Sequence, residues 1–340
     1  MKRFSTLMIM MMLVLSLTLV GCSSGEEAVV EGAESQPEQS ASASEGYPEK
    51  PINVIVAYSA GGNTDIAARI LLPYVEEELG VPLNVINKPG GGGWTGWTEF
   101  LNAPRDGYTI GYINTPNLMT GYLNPEFNRD NSLDDFDVIA NHVLDYGAIA
   151  VRTDDTRFET IDDLIEYAKE NEVTGTTTGF AGDDHIAQLR LNDAVGTKFV
   201  AVHQGGTSEM LAAVIGGHVD VFFDNVGSVS TAEQNGELRT LAVLAPERSE
   251  FLPDVPTLEE AGYPAIYTSS ARGLAFADGV DEEIVNKVTE AFVTALNNPE
   301  HVKKIEDLGY LVHPIAGEEY EAFLNDDEAG IIEIKEVLGW

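Results

Sequence analysis

Apolar positions follow two rhythms along this chain. Short continuous runs at residues 52–58, 81–86 and 108–113 read as strands buried on both faces. Between the first two, Ile66, Ala67, Ile70, Leu71, Tyr74 and Val75 recur at helical spacing, and residues 95–102 form the next amphipathic segment. Gly90 to Gly93 and the Asp106-Gly107 pair punctuate the succession. This βαβαβ order predicts a parallel sheet with helices on both faces. The rhythm returns further on, with strands expected at 143–151, 174–178, 198–202, 219–223, 238–244, 273–276 and 311–314. Helices are expected at 161–171, 186–194, 210–215, 283–297 and from 318. The helix at 161–171 carries Thr160 as its cap and Asp162 and Asp163 in its first turn. The expected class is α/β, in two units.

The first 46 residues follow neither rhythm. Lys2-Arg3 precedes an apolar stretch over residues 7–20, which is the length of a signal-peptide core and short for a membrane span. Leu19-Val20-Gly21-Cys22 follows it and resembles the lipobox of bacterial lipoproteins. That resemblance implies a lipid on Cys22 and removal of residues 1–21. Residues 23–46 are rich in Ser, Glu, Ala, Gly and Gln and lack aromatic side chains, so they cannot bury enough apolar area to offset the entropy of ordering. They read as a tether, with the folded body outside the cytoplasm, anchored to the cell membrane. An extracytoplasmic body argues against NAD- or ATP-dependent chemistry, and no cofactor is expected.

Composition narrows the function. The 340 residues hold 19 Lys+Arg against 56 Asp+Glu, a net charge of −37. Lys2 and Arg3 against six glutamates leave the first 46 residues at −4, so residues 47–340 carry −33. Nucleic acid is excluded as a partner, because displacing its counterions takes basic density that this chain lacks. The folded part is equally unsuited to anionic lipid headgroups. The single cysteine, Cys22, rules out an internal disulfide framework and a cysteine-rich metal site.

Candidate chemistry sits in glycine-rich turns between strands and helices. Tyr58-Ser59-Ala60-Gly61-Gly62-Asn63-Thr64-Asp65 leads from the first strand to the first helix. Such a turn presents unpaired backbone amides at the positive end of a helix dipole, and glycine lets a carboxylate or phosphate approach them. The plainer alternative is a tight turn with Asn63 or Thr64 as an ordinary cap. A dinucleotide site is excluded by the missing G-x-G-x-x-G and by Asn87 where a ribose-binding acid would stand. A second turn, Gly179-Phe180-Ala181-Gly182-Asp183-Asp184-His185, invites a metal reading, but adjacent residues at a helix start point apart, and capping by Asp183 or Asp184 is preferred. The third is His203-Gln204-Gly205-Gly206-Thr207-Ser208, where His203 reads as a structural hydrogen-bonder or a ligand donor. No G-x-S-x-G, H-E-x-x-H or C-x-x-C occurs, and the six histidines show no paired ligand spacing. Three such turns without a nucleophile describe a binder rather than an enzyme.

Taken together these residues resemble the substrate-binding proteins of tripartite tricarboxylate transporters, the Bug family of extracytoplasmic solute receptors. The resemblance begins at Tyr47-Pro48-Glu49-Lys50-Pro51-Ile52 and continues through Gly61 to Arg69, Asn87 to Gly93 and Pro104 to Thr109. It resumes at His203-Gln204-Gly205-Gly206, Gly216-Gly217-His218-Val219-Asp220 and Leu252 to Gly262. It implies a two-domain Venus-flytrap periplasmic binding protein fold, type II-like, with the ligand cleft between domains. Domain 1 would hold 47–150 plus 269–340, and domain 2 would hold 151–268. It further implies a small organic anion, a carboxylate, held by residues 58–65, Asn114 and Thr115 from domain 1. Gly179, Ala181, Gly182, Asp183, Asp184, His203, Gly205, Gly206 and Thr207 would face them, with Asp224 near the hinge. The implied partners are the permease subunits of the transporter; a sensor subunit, or a receptor for a non-carboxylate solute, is the alternative. Two departures stand out: many relatives have Tyr-Lys-Gly at His203-Gln204-Gly205, and many have Trp where this chain offers Ala271-Arg272. Arg272 becomes a candidate cation for the cleft. A body at −33 repels an anion, so local amide dipoles must override that field, or the ligand is not anionic. At about 1 M salt the screening length falls to about 3 Å, which points to a saline habitat and to carboxylate on-rates that rise with salt.

Overall fold

A computed structural model describes residues 46–340. The apolar run at 7–20, Cys22 and residues 23–45 of the expected tether lie outside the described residues. Among the described residues no helix is long and apolar enough to cross a membrane.

The expected βαβαβ unit is present. β1 (Ile52–Val56), α1 (Asn63–Leu79), β2 (Leu83–Asn87), α2 (Trp94–Leu101) and β3 (Thr109–Thr115) follow in order, and β1 pairs in parallel with both β2 and β3. A short α3 (Asn117–Leu123) then leads to β4 (Phe136–Arg152), which is 17 residues long. The second unit holds α4 (Ile161–Glu170), β5 (Val173–Thr177), α5 (Asp183–Val195), β6 (Phe199–His203), α6 (Thr207–Ile215) and β7 (Val221–Asn225). It continues through α7 (Val226–Gln234) and β8 (Leu238–Leu244). The chain returns through β9 (Ser269–Ala277), α8 (Glu282–Leu296), α9 (Pro299–Glu306), β10 (Leu311–Val312) and α10 (Glu318–Glu333).

The strand order is β2-β1-β3-β9-β4-β7-β5-β6, with β8 and β10 also on β4. The whole sheet is therefore mixed, while the three strands of the βαβαβ unit are parallel as expected. β9 comes back from the second half and enters the first from the opposite end, so it lies antiparallel to β3 and to β4. β4 belongs to both halves. Phe136 to Tyr146 pair with β9, and from Gly147 onward the strand runs between β7 and β8. Gly147 sits at that switch because a Cβ there would lie 2.3 Å from the Thr268 hydroxyl.

Alternation places the cores. Ile149 and Val151 point to one face of the sheet with Phe223, Leu164 and Leu191, while Ala148 and Ala150 point to the other with Phe222, Met210 and Val229. In the first half, Val54, Val56, Ile110 and Phe276 meet Leu71, Val75 and Phe292, and Trp97, Phe100 and Tyr320 cover the opposite face. Burying a side chain of this size is worth about 1.5–3 kcal/mol. These two layers hold rigid the strand ends from which the turns described below project.

Candidate functional site

Four helix N-termini converge where the two halves meet. The first follows β1, whose apolar run ends at Tyr58 and whose glycines turn the chain into α1. Gly62 is the N-cap, in extended conformation, and no side chain caps the helix. Asn63 and Thr64 are thus freed from capping, contrary to the plainer reading. Asn63 Nδ2 donates to Asp224 Oδ1 at 3.1 Å and its Oδ1 accepts from the Tyr310 hydroxyl at 3.0 Å. Thr64 Oγ1 accepts from Asn114 Nδ2 at 2.9 Å. Asp65 turns away from the cavity. It accepts from Gly61 N at 2.9 Å, from Arg69 Nε at 2.9 Å and from Asn87 Nδ2 at 3.0 Å, and so pins the turn. Burial works to raise the pKa of Asp65, but these bonds outweigh it and hold the carboxyl below its ordinary value.

The second N-terminus is that of α5. Its N-cap is Gly182, again without a side-chain cap, so neither Asp183 nor Asp184 plays the expected capping role. Both fold back inside the first turn instead. The Asp183 carboxyl lies against the first turn and accepts from Asn225 Nδ2 at 2.6 Å. Asp184 accepts from the His185 amide at 2.7 Å, the Thr177 hydroxyl at 2.8 Å and the Thr178 amide at 2.8 Å. The positive end of this helix is occupied by the chain's own carboxyl groups. Burial raises both pKa values, and Asp184 is pushed well up, with the charges of Asp183 and Asp224 adding to the effect.

The third and fourth N-termini belong to α6 and α7. Gly206 precedes Thr207, and Asn225 is the N-cap of α7. Asp224 lies at the end of β7 and accepts from the Asn225 amide at 2.7 Å. Its pKa rises to about 7, chiefly by burial and then by the charge of Asp183. Arg272 on β9 is the guanidinium of the site and is 3% exposed. Its Nη1 meets Asp145 Oδ2 at 3.1 Å and its Nη2 donates to Asn225 Oδ1 at 2.5 Å. Asp145 also accepts from the Gly227 amide at 3.2 Å, and burial raises its pKa to about 6 against the pull of Arg272.

These groups surround a cavity of about 20 Å³, room for about one water. Of the expected residues, Tyr58, Gly62, Asn63, Thr64 and Asn114 line it from the first half, and Arg272 projects from β9. Asp183, Asp184, Gly206, Thr207 and Asp224 line it from the second. Others form a seam across the halves: Ser59 N donates to Gly205 O at 3.4 Å, Ser59 Oγ to Glu209 at 2.6 Å, and Ser208 Oγ to Ala60 O at 3.4 Å. Gly61 is exposed, while Ala181, Gly182 and Thr115 are buried beside the cavity without lining it. His203 is exposed and, with Gly179 and Gly205, borders a separate outer pocket of about 470 Å³. Sequence reasoning missed Asn117, Thr178, Asn225 and Ser270, which also line the cavity. Asn225 and Ser270 adjoin residues already singled out, and that adjacency was the available signal. Asn117 lies on α3, a helix that the apolar rhythm did not show.

Residues 67–339 match the model of the family described as "Tripartite tricarboxylate transporter family receptor". The chain belongs to that family. A protein of Cupriavidus necator, named "UPF0065 protein in gbd 5'region", is 31% identical over 279 residues, spanning 82% of this chain and 84% of that one. The solved structure of "periplasmic binding protein BugD" is 26% identical with a TM-score of 0.80, over 86% of this chain and 99% of that one. MatC from Rhodopseudomonas palustris, solved with bound malate, is 26% identical with a TM-score of 0.78, over 86% and 100%. The architecture is the two-domain Venus-flytrap fold of periplasmic binding proteins, with the cavity between the halves.

Proposed function

We propose that this member of the receptor family captures a small organic carboxylate outside the cytoplasm and hands it to a membrane permease. The observation that carries the reading is the first turn of α1. Its leading amides have no carbonyl four residues back within the helix, and they open beside the buried Arg272 at the meeting of the two halves. A helix N-terminus and a guanidinium are what a carboxylate needs when it leaves water. The malate held by MatC, a relative of similar fold, supports the same solute class.

Capture requires motion, because about 20 Å³ admits no carboxylate. The moving bodies are 47–150 plus 269–340 and 151–268, hinged where β4 changes partners and where β9 returns. The solute bridges both bodies and so favours the closed state by its differential affinity. Cys22 carries a lipid that keeps the receptor near its permease. Calorimetric titration of the protein with mono-, di- and tricarboxylates tests the reading. At least one carboxylate should saturate a single site, and at a hundred times its Kd it should stabilise the fold by about 2.7 kcal/mol. Binding confined to solutes without a carboxylate would overturn it.

A further inference from the structure

A larger chamber, of about 510 Å³, lies outside the cleft and shares no lining residue with the solute cavity. Its volume is that of a small-molecule site. The first half contributes Leu144 to Tyr146 of β4, with Gly309 and Leu311 around the turn into β10. The second half contributes Val226 at the start of α7 and the loop that follows β8. That loop is fixed by its own polar groups. The Phe251 amide donates to Ser249 Oγ at 3.2 Å, and Arg248 donates to Pro253 O at 3.0 Å and to Glu260 Oε2 at 2.7 Å. The chamber is therefore built in advance of any occupant. Leu144, Val226 and Leu311 give it aliphatic walls, and Tyr146 and Phe251 add two aromatic rings.

Charge decides what the chamber suits. Asp145 is balanced by Arg272 at 3.1 Å, and Arg248, the one basic residue of the lining, by Glu260 at 2.7 Å. Glu247 and Glu250 also line the chamber, are exposed, and have no ion-pair partner among the described residues. Two uncompensated carboxylates thus stand over an apolar interior. An anion would be repelled there, and a small polar solute would lose its hydrogen bonds against the walls. An ammonium ion gains from the carboxylates and from the faces of the aromatic rings, while an apolar body gains from the aliphatic walls. We propose that this chamber is a second binding site, for an organic ammonium ion with an apolar body. It is independent of the carboxylate site in the cleft.

Three probes of one shape test the inference on the wild-type protein by amide NMR titration: phenethylammonium, its neutral analogue 2-phenylethanol and the anion 3-phenylpropionate. Phenethylammonium should shift the amides of residues 144–146, 247–251 and 309–311, and should bind about tenfold more tightly than the alcohol. The anion should leave those amides unmoved. Equal binding of the alcohol would overturn the ammonium claim and make the chamber a site for neutral apolar ligands. Shifts confined to the cleft, or none with phenethylammonium, would overturn the second site altogether. Leu311 is 38% exposed, so Leu311→Arg places a cation at the chamber without disturbing the core. It should weaken phenethylammonium about tenfold and leave carboxylate binding in the cleft unchanged; unweakened phenethylammonium would overturn the assignment. If that variant does not fold, the three wild-type titrations decide alone.

Discussion

At the start of α1, an extended Gly62 brings Asn63 and Thr64 to the cavity, and the carboxylate of that helix's own first turn, Asp65, is turned outward onto Arg69 and Asn87. At the start of α5, an equally extended Gly182 delivers the same kind of helix end, but the Asp184 carboxyl folds onto it and accepts from the His185 amide, with Asp183 beside it. Two strand–glycine–helix turns thus reach opposite chemical states, one ready for an anion and one already holding its own. The difference lies in the first two residues of each helix. Asn-Thr sends its side chains across to Asp224, Tyr310 and Asn114, whereas Asp-Asp keeps its side chains at home. A flytrap with two open helix ends suits a solute with two carboxylates.

The largest effect should come from Arg272, the cation on which both ends depend. Arg272→Met leaves Asp145 buried without its partner, and breaking such a pair costs about 3–5 kcal/mol. Urea denaturation reads this directly; a loss below about 1 kcal/mol would remove Arg272 from the centre of the account. Next, Asp183→Ser should clear one of the two carboxyls from the α5 end and make it more like α1. Affinity for dicarboxylates should then rise by about tenfold, roughly 1.4 kcal/mol. An unchanged affinity would mean that the two ends differ for some reason other than occupancy.

The contrast also has a pH signature. The pKa of Asp145 rises to about 6 and that of Asp224 to about 7, both foremost by burial. A carboxyl whose pKa is higher folded than unfolded contributes stability in full below its unfolded value, near 4, and loses it as pH rises through 6 and 7. Asp155 and Asp220, whose pKa values are lowered, contribute stability above about 4 and lose it on further acidification. The ligand-free protein should therefore melt highest at about pH 4–6 and lose several degrees by pH 8. Asp224→Asn should flatten that decline. The groups facing Asp224 are Asp183 and Asp184 on α5, Arg272 on β9 and Tyr310 beside α9, so the curve reports the cluster as well as the single group. The smallest effect is on association. The −33 of residues 47–340 should slow a dicarboxylate at low salt, so that its on-rate rises with ionic strength, and should leave a neutral zwitterion nearly unaffected. Stopped-flow at two salt concentrations separates them, and an on-rate for dicarboxylates that falls steeply with salt would contradict the repulsion.

Much of this was legible beforehand. The apolar runs located β1 and β8 closely, the Thr160 capping box opens α4 as expected, and the glycine turns fell where the helix ends converge. β4 was seen only in its second part, because Asp137, Asn141 and His142 interrupt the apolar pattern of its first. Those polar groups are tolerated by partners far along the chain: Asn141 donates to His313 O at 2.9 Å, and His142 sits between the Tyr112 hydroxyl and His301. α3 and α7 were missed because glycine, serine, threonine and valine are poor helix formers and tertiary packing decides there. α9 announced itself through the Asn298 cap and Pro299 at the first helical position, a signal that was present and unused. The state of each helix end could not be read from spacing, since it depends on which way Asp65 and Asp183 turn.

Calorimetry at pH 7 in two buffers of different ionisation enthalpy tests the central claim most directly, because it counts the protons exchanged when the solute binds. A carboxylate held beside Asp224, whose pKa burial raises to about 7, favours the neutral form of that carboxyl. Binding of the preferred carboxylate should therefore take up protons, a sizeable fraction of one per site. Release of protons, as a cationic group against Asp224 would cause by favouring the charged carboxylate, would contradict the account.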